Sequence, residues 1–406
     1  MTGEPEQARP TPFLPPFTRA IVIVVDSMGI GELPDASAYG DEGSNTLGNI
    51  AKQVPLALPA LRSLGLDRLV NLPAEAESRI QGAFGRMAEA SPGKDSVTGH
   101  WEMMGIVLDR AFPTFSQGFP ADVIAEFERR IGRRTIGNVV ASGTEIIDRL
   151  GPDHVRTGRP IVYTSADSVF QIAAHEDVIP IAEQYRICES AFDLVSRGMG
   201  VGRVIARPFV GTPGAFTRTA NRHDYALDPA GDTLLDRLAA RGDPVLSIGK
   251  IKDLFAGRGV TSGVHTSNDA EGMDHVERAI EETERGLIFI NLVDSDQLYG
   301  HRNDVAGYAA NLERFDARLA GLLPRLRRDD LLVVTADHGN DPSTPSTDHS
   351  REYVPVLMAG PRVRAGADIG TRETFADLGQ TLAANFGVTP LAHGTSFLED
   401  IVVNHP

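Results

Sequence analysis

The chain has 406 residues, 41% hydrophobic and 23% charged, with a formal net charge of −16. Such a length exceeds one compact core and implies two or three folded units, and the acidic balance argues against nucleic acid or an anionic membrane as the main partner, since both need a basic face. A single cysteine, Cys188, rules out a disulfide framework within the chain and a cysteine-rich metal site.

In chain order, the first seventeen residues, MTGEPEQARPTPFLPPF, lack a basic region followed by an apolar run. They read as a leader over 1–18 and not as a secretory signal. No apolar run approaches a membrane span, so a cytoplasmic location is expected. Short β-branched runs then recur: AIVIVVD (20–26), PVLSIGK (244–250), LIFINLVDSD (287–296) and LLVVTADHGND (331–341). Each is continuous enough for a strand buried on both faces. Helical patterns lie between and beyond them at 232–242, 307–326 and 374–387. This alternation predicts an α/β fold with a mostly parallel sheet flanked by helices, and ligands bound outside the carboxyl ends of its strands.

The middle of the chain differs. From about 111 to 227 it is rich in Gly, Pro and Arg and carries its own strands (160–167, 202–210) and helix (121–132). It reads as a smaller α/β domain inserted into a core formed by 19–110 and 228–406.

Acids and imidazoles gather at the ends of the core strands. Asp26 closes the first. Asp294 and Asp296 compete at the end of the third, with His301 beyond, and Asp337, His338 and His349 follow the fourth. A lone Asp after a strand is commonly a helix cap or turn former. Carboxylates and imidazoles from three strands form a pattern that capping explains poorly. The donor set suits Mn²⁺, Zn²⁺ or Fe better than Ca²⁺, and six ligands suffice for two ions of the kind that clamp a phosphoryl displacement. His100, His175 and His223 read as hydrogen-bonding residues.

The segment GKDSVTGHWEMMG (93–105) offers two hydroxyls, Ser96 and Thr98, that glycines could bring to such a site. Metal coordination favours an alkoxide and attack on phosphorus. The competing reading is that Asp95, Ser96 and Thr98 cap a helix starting near Trp101. Arg203, Arg207, Arg218, Arg222 and His223 supply local positive charge within 21 residues, and Lys250 ends a core strand. Guanidinium forks suit phosphate oxygens.

DSMGIGELPDA (26–36), GKDSVTGHWEMMG, IVYTSADSVFQIAAHE (161–176), GRVIARPFVGTPGAFTRTANRHDYAL (202–227), NLVDSDQLYGHR (291–302) and TADHGNDPSTPSTDHSREYVP (335–355) together resemble the phosphopentomutase family. That family belongs to the alkaline phosphatase superfamily of two-metal enzymes and has an inserted cap domain. The resemblance covers nearly the whole chain after about residue 18. It implies an isomerase that interconverts ribose 1-phosphate and ribose 5-phosphate, and their 2-deoxy counterparts, through a phosphorylated hydroxyl and a pentose 1,5-bisphosphate. It implies Asp26, Asp296, His301, Asp337, His338 and His349 as ligands of two ions, usually Mn²⁺, and Ser96 as the phosphate acceptor. Here the chain departs from the family pattern, which has threonine in GKDT. The resemblance further implies that Ser165, Asp167, Arg203, Arg218 and Lys250 face the pentose phosphate; Arg207 joins them from the arginine cluster. A sugar bisphosphate, glucose 1,6-bisphosphate or ribose 1,5-bisphosphate, is the expected primer. Pentose monophosphates are the expected partners, with no nucleic acid, membrane or obligate protein.

Overall fold

A computed structural model describes residues 15–73, 79–165 and 168–403. Its larger sheet has eight strands in the order Ser262–Val264, Val245–Ile248, Gly286–Leu292, Arg19–Val25, Asp330–Thr335, Val354–Ala359, Ala83–Met87, Asp368–Arg372. Val354–Ala359 is antiparallel to both neighbours, and every other pairing is parallel. The sheet is therefore mostly parallel, as its β-branched runs predict. The central strands are buried throughout, and their side chains belong to one continuous apolar core with the surrounding helices. Arg19 is a charged residue buried among them. Its guanidinium meets the carboxylate of Asp330, its register partner on the next strand, at 2.5 Å.

Helices start where the sequence offers a cap. Thr233 forms a reciprocal capping box with Asp236 ahead of Leu234–Arg241, and Asn268 caps Asp269–Glu282 through the Glu271 N–H. Among the described residues, no helix is long and apolar enough to cross a membrane.

A second sheet of six strands comes from the middle of the chain. Its path is Ile136–Val140, Ile161–Thr164, Val169–His175, Arg203–Thr212, Ala215–Arg218, with His223–Ala226 pairing residues 203–206 of Arg203–Thr212 on the same edge that Ala215–Arg218 uses at 209–212. Two separate apolar clusters cover it. One includes Phe127, Ile187 and Cys188; the other includes Ile146, Ile147 and Phe209.

In the large sheet, Val25, Leu292 and Thr335 end almost level, because Val24 pairs with both Asn291 and Thr335. The next residues of all three strands are therefore delivered to one edge.

Candidate active site

Asp26 follows Val25 directly, and its N–H donates to the Leu292 carbonyl at 2.9 Å. The chain then turns sharply through Ser27, at φ 71°, whose N–H donates to Asp337 Oδ1 at 3.2 Å. Asp337 and His338 stand two and three residues past the Thr335 strand end. Asp296 arrives differently from the sequence expectation. The strand stops at Leu292, and Asp296 lies in the following π-helical turn, Ser295–Tyr299. The cause is a reciprocal pair of bonds: Asp294 N–H donates to Asp269 Oδ1 at 2.9 Å, and Asp269 N–H donates to Asp294 Oδ2 at 3.0 Å. Asp294 is thereby used in joining two elements, and Asp296 is free to face His301 and His349.

These residues form two adjoining buried groups. Asp26, Asp337 and His338 offer ligand atoms within 4.8 Å of one another, and so do Asp296, His338 and His349. His338 Nδ1 donates to the Gly339 carbonyl at 3.1 Å, which leaves Nε2 as a lone pair 3.3 Å from Asp26 Oδ1 and 3.5 Å from Asp337 Oδ2. His301 Nδ1 likewise donates to the Thr347 carbonyl at 2.7 Å, turning Nε2 to Asp296 Oδ2 at 3.2 Å. His349 Nε2 lies 3.4 Å from Asp296 Oδ1. Asn291 donates to Asp26 Oδ2 at 3.1 Å and Asn340 to Asp296 Oδ1 at 2.9 Å, fixing both carboxylates.

The electrostatics are those of a cation site. Burial, followed by the charges of Asp337 and Asp296, pushes the Asp26 carboxyl well above its ordinary range. Burial also works upward on Asp296 and Asp337, but His349 and His301 hold the first well below that range, and His338 and His100 do so for the second. Burial lowers His338 and favours the neutral imidazole that a metal needs. Asp26 Oδ1 and Asp337 Oδ2 are buried without a hydrogen bond. Two buried carboxylate oxygens left in this way beside the His338 imidazole fit a divalent first-row cation, whose charge would offset the crowding that raises Asp26.

The two readings of the GKDS segment prove compatible. A helix runs from Ser96 to Met103, five residues earlier than a start at Trp101, and Asp95 caps it by accepting from the Val97 and Thr98 N–H groups at 3.0 and 3.1 Å. Thr98 Oγ1 donates to Asp95 Oδ2 at 2.6 Å, so it belongs to the cap. Ser96 Oγ points the other way and lies 3.2 Å from His338 Nε2. Gly99 permits the approach: a Cβ there would stand 2.2 Å from the Asp337 carbonyl oxygen. His100 Nδ1 lies 2.8 Å from the Ser96 carbonyl and 3.3 Å from Asp337 Oδ2.

Arg351, two residues past His349, ties this segment to the ligand loop. Its buried guanidinium donates to the carbonyls of Glu89, Ser91 and Gly93 at 2.8, 2.8 and 2.7 Å, and to Glu89 Oε2 at 2.8 Å. Sequence reading does not single it out, because a lone Arg after DHS has no distinguishing pattern.

A cavity of about 540 Å³ separates these groups from the second sheet. Ser96, Lys250, Asp296, His301 and His349 line one wall; Ser165, Gln171, Arg203, Arg207, Arg222 and Asp224 line the other. Arg218 ends the exposed hairpin strand Ala215–Arg218, where register sets it opposite Phe209 and so on the face that Arg203 and Arg207 share, though it is not among the residues lining the cavity. Arg222 also reaches the cavity. Asp167 lies outside the described residues. Gln171 and Asp224 carry no sequence signal, since a strand glutamine and an acid beside an arginine are ordinary surface features.

Comparison with known proteins gives the geometry a context. Residues 18–390 match the model of the Metalloenzyme superfamily. A phosphopentomutase of Desulfitobacterium hafniense is 56% identical over 386 residues, covering 95% of this chain and 100% of that one. The chain belongs to the phosphopentomutase family. A second family member, from Caldanaerobacter subterraneus, is 53% identical over 384 residues, covering 94% of this chain and 98% of its own. A phosphoglycerate mutase structure from Leishmania mexicana matches 98% of this chain and 99% of its own at 14% identity, with a TM-score of 0.49. This phosphopentomutase family member is therefore a mutase, an isomerase, within a metal-dependent superfamily.

Proposed function

We propose that the chain interconverts α-D-ribose 1-phosphate and D-ribose 5-phosphate, and the 2-deoxyribose phosphates, through phospho-Ser96 and a pentose 1,5-bisphosphate, serving nucleoside salvage in the cytoplasm. The observation that carries this reading is the position of Ser96 Oγ, 3.2 Å from His338 Nε2, on a cavity whose opposite wall presents Arg203, Arg207 and Arg222.

Asp26, Asp337 and His338 would hold one divalent ion and Asp296, His301 and His349 a second, manganese in our reading. When bound, such ions would supply Lewis-acid stabilisation of the charge on the transferring phosphoryl group. The helix that begins at Ser96 aims its positive end at the same place. On the far wall, Arg203, Arg207 and Arg222, with Ser165, seat the non-reacting phosphate, and Lys250 adds a point charge. Arg218, on the same face of the sheet, is a further guanidinium proposed to face the pentose phosphate.

In the first transfer, the free hydroxyl of a seated pentose monophosphate attacks phospho-Ser96. A sugar O–P bond forms, the Ser96 Oγ–P bond breaks, and the hydroxyl proton ends on Ser96 Oγ. The bisphosphate then turns, Ser96 Oγ attacks the other phosphorus, and the leaving sugar oxygen takes the proton back. Glucose 1,6-bisphosphate or ribose 1,5-bisphosphate would phosphorylate a free Ser96 and start the cycle.

Residues 111–227 act in this scheme as a cap that excludes water, which favours transfer to sugar over hydrolysis. The test is ³¹P NMR of manganese-loaded protein given ribose 1-phosphate and a trace of glucose 1,6-bisphosphate. Ribose 5-phosphate without accumulating inorganic phosphate, lost in Ser96→Ala, is the expected result. Inorganic phosphate as the main product, or full turnover by Ser96→Ala, would overturn the reading.

A further inference from the structure

Tyr163, in the second sheet, is 0% exposed, and its Oη makes no hydrogen bond among the described residues. A tyrosine buried this deeply ordinarily finds a partner for its O–H. Its surroundings suit an anion. Tyr163 pairs with Gln171, a residue that lines the cavity, and so lies on the sheet face that carries Arg203, Arg207 and Arg218. The helix Gly143–Thr157 packs on that face through Ile146 and Ile147, and its first residue meets the phenol. A Cβ on Gly143 would stand 2.9 Å from Tyr163 Oη and 3.6 Å from Arg218 Nη1. Ser142 caps this helix by accepting from the Glu145 N–H. The Gly143 and Thr144 N–H groups remain among the donors that a helix cannot satisfy within itself. Burial pushes the Tyr163 phenol up, while Arg207, then Arg218 and Arg222, act against it from nearby. The acids at hand are engaged elsewhere. Asp224 accepts from Arg222 through both oxygens at 2.7 Å, and Glu145 pairs with Arg149 at 3.5 Å. Among the described residues no carboxylate lies within ion-pair distance of Arg218.

We infer that Tyr163 Oη, Arg218 and the first turn of the Gly143–Thr157 helix form one seat for the non-reacting phosphate, which makes Tyr163 a further substrate-binding residue. The phenol donates to one phosphate oxygen, the guanidinium fork takes others, and the helix adds its positive end and its first N–H groups. Three kinds of donor thus converge where the protein offers them no acceptor. The Arg218 side chain is exposed and is the movable part of this seat, so it can swing aside to admit the phosphate and close on it. Keeping a buried hydroxyl without a partner costs the folded chain its desolvation, which phenylalanine would avoid. A phosphate that accepts from Oη offsets that cost only in the bound state.

The inference rests on the function proposed above, and the experiment separates the two. Ribose 5-phosphate binding is measured by calorimetry on manganese-loaded, full-length Ser96→Ala protein, which the mechanism leaves without turnover. The same is done with Tyr163→Phe, Arg218→Gln, both together, or Arg207→Gln added. Tyr163→Phe should weaken binding by about ten-fold or more, as expected for one hydrogen bond to a charged group. The Tyr163→Phe and Arg218→Gln losses should combine to less than their product, because both act on one phosphate. The thermal midpoint of unliganded Tyr163→Phe should be unchanged or higher, since the substitution leaves no partner stranded. With Ser96 intact, Tyr163→Phe should raise KM and keep kcat within several-fold. Unchanged binding in Tyr163→Phe while Arg207→Gln weakens it, losses that multiply in full, or a lowered midpoint each overturn the inference alone. No binding by Ser96→Ala, or unchanged binding in all the added variants, overturns the arginine wall as a phosphate seat and the proposed function with it.

Discussion

Replacing Arg351 by methionine isolates the tie between the Ser96 segment and the ligand loop. The Arg351 side chain is 4% exposed and that of Glu89 3%. The substitution leaves the Glu89, Ser91 and Gly93 carbonyls and one buried carboxylate without their donor. An unsatisfied buried acceptor costs about 1–3 kcal/mol, and breaking a buried ion pair about 3–5 kcal/mol. These losses share one site and do not add fully, so about 4–6 kcal/mol is expected at pH 8. Burial pushes the Glu89 carboxyl well above its ordinary range even with Arg351 beside it. In Arg351→Met the folded state therefore keeps a proton that the unfolded chain, with a carboxyl near about 4.3, releases. Stability should fall as pH rises through that window, so the loss is smaller at pH 6 than at pH 8. Adding Glu89→Gln should restore about 2 kcal/mol at pH 8 and flatten the pH dependence. Urea unfolding at fixed manganese reports on this region through Trp101, the only tryptophan, buried in the Ser96–Met103 helix. Equal losses at both pH values, or no gain from Glu89→Gln, would refute the reasoning.

Thr98→Ala loses the 2.6 Å bond to Asp95 and should cost about 1 kcal/mol in unfolding assays, with turnover kept within several-fold. Asp26→Asn should lower the thermal midpoint of the manganese-loaded protein but raise that of the chelated protein, because it removes one of three crowded carboxylates; the same sign in both states would contradict the cation site. Burial, then the Asp294 charge, raises Asp269 to about 6, above an unfolded value near about 3.9. That group should cost chelated protein about 2–3 kcal/mol as pH rises from about 4 to 6, and Asp269→Asn should flatten that slope in urea unfolding.

Much of the core was legible because buried parallel strands carry an unmistakable run of β-branched residues, and the residues just past their carboxyl ends must share an edge. Asp26, Asp337 and His338 lie within three residues of a strand end and could be read that way. Asp296 could not, because the choice between it and Asp294 depends on a bond to Asp269, 25 residues away. Arg218 and Arg222 are equally cationic in sequence. Only the fold shows that Arg222, in the turn before His223–Ala226, lines the cavity. The roles of Ser96 and Thr98 diverge for a local reason: the cap set by Asp95 turns one hydroxyl inward to the carboxylate and leaves the other facing His338. Gln171, Asp224 and Arg351 act through partners distant in the chain, and single-sequence patterns carry no trace of such pairs.

The most direct test of the account is the site of covalent phosphate. Manganese-loaded protein is mixed with glucose 1,6-bisphosphate, quenched in acid and digested, and the peptide containing residues 94–105 is sequenced by mass spectrometry. The account requires one phosphate, on Ser96, and, when that phosphate is isotopically labelled, passage of the label to sugar phosphate after unlabelled ribose 5-phosphate is added before the quench. Phosphate on Thr98, or no phosphopeptide from a protein that still isomerises ribose phosphates, would contradict it.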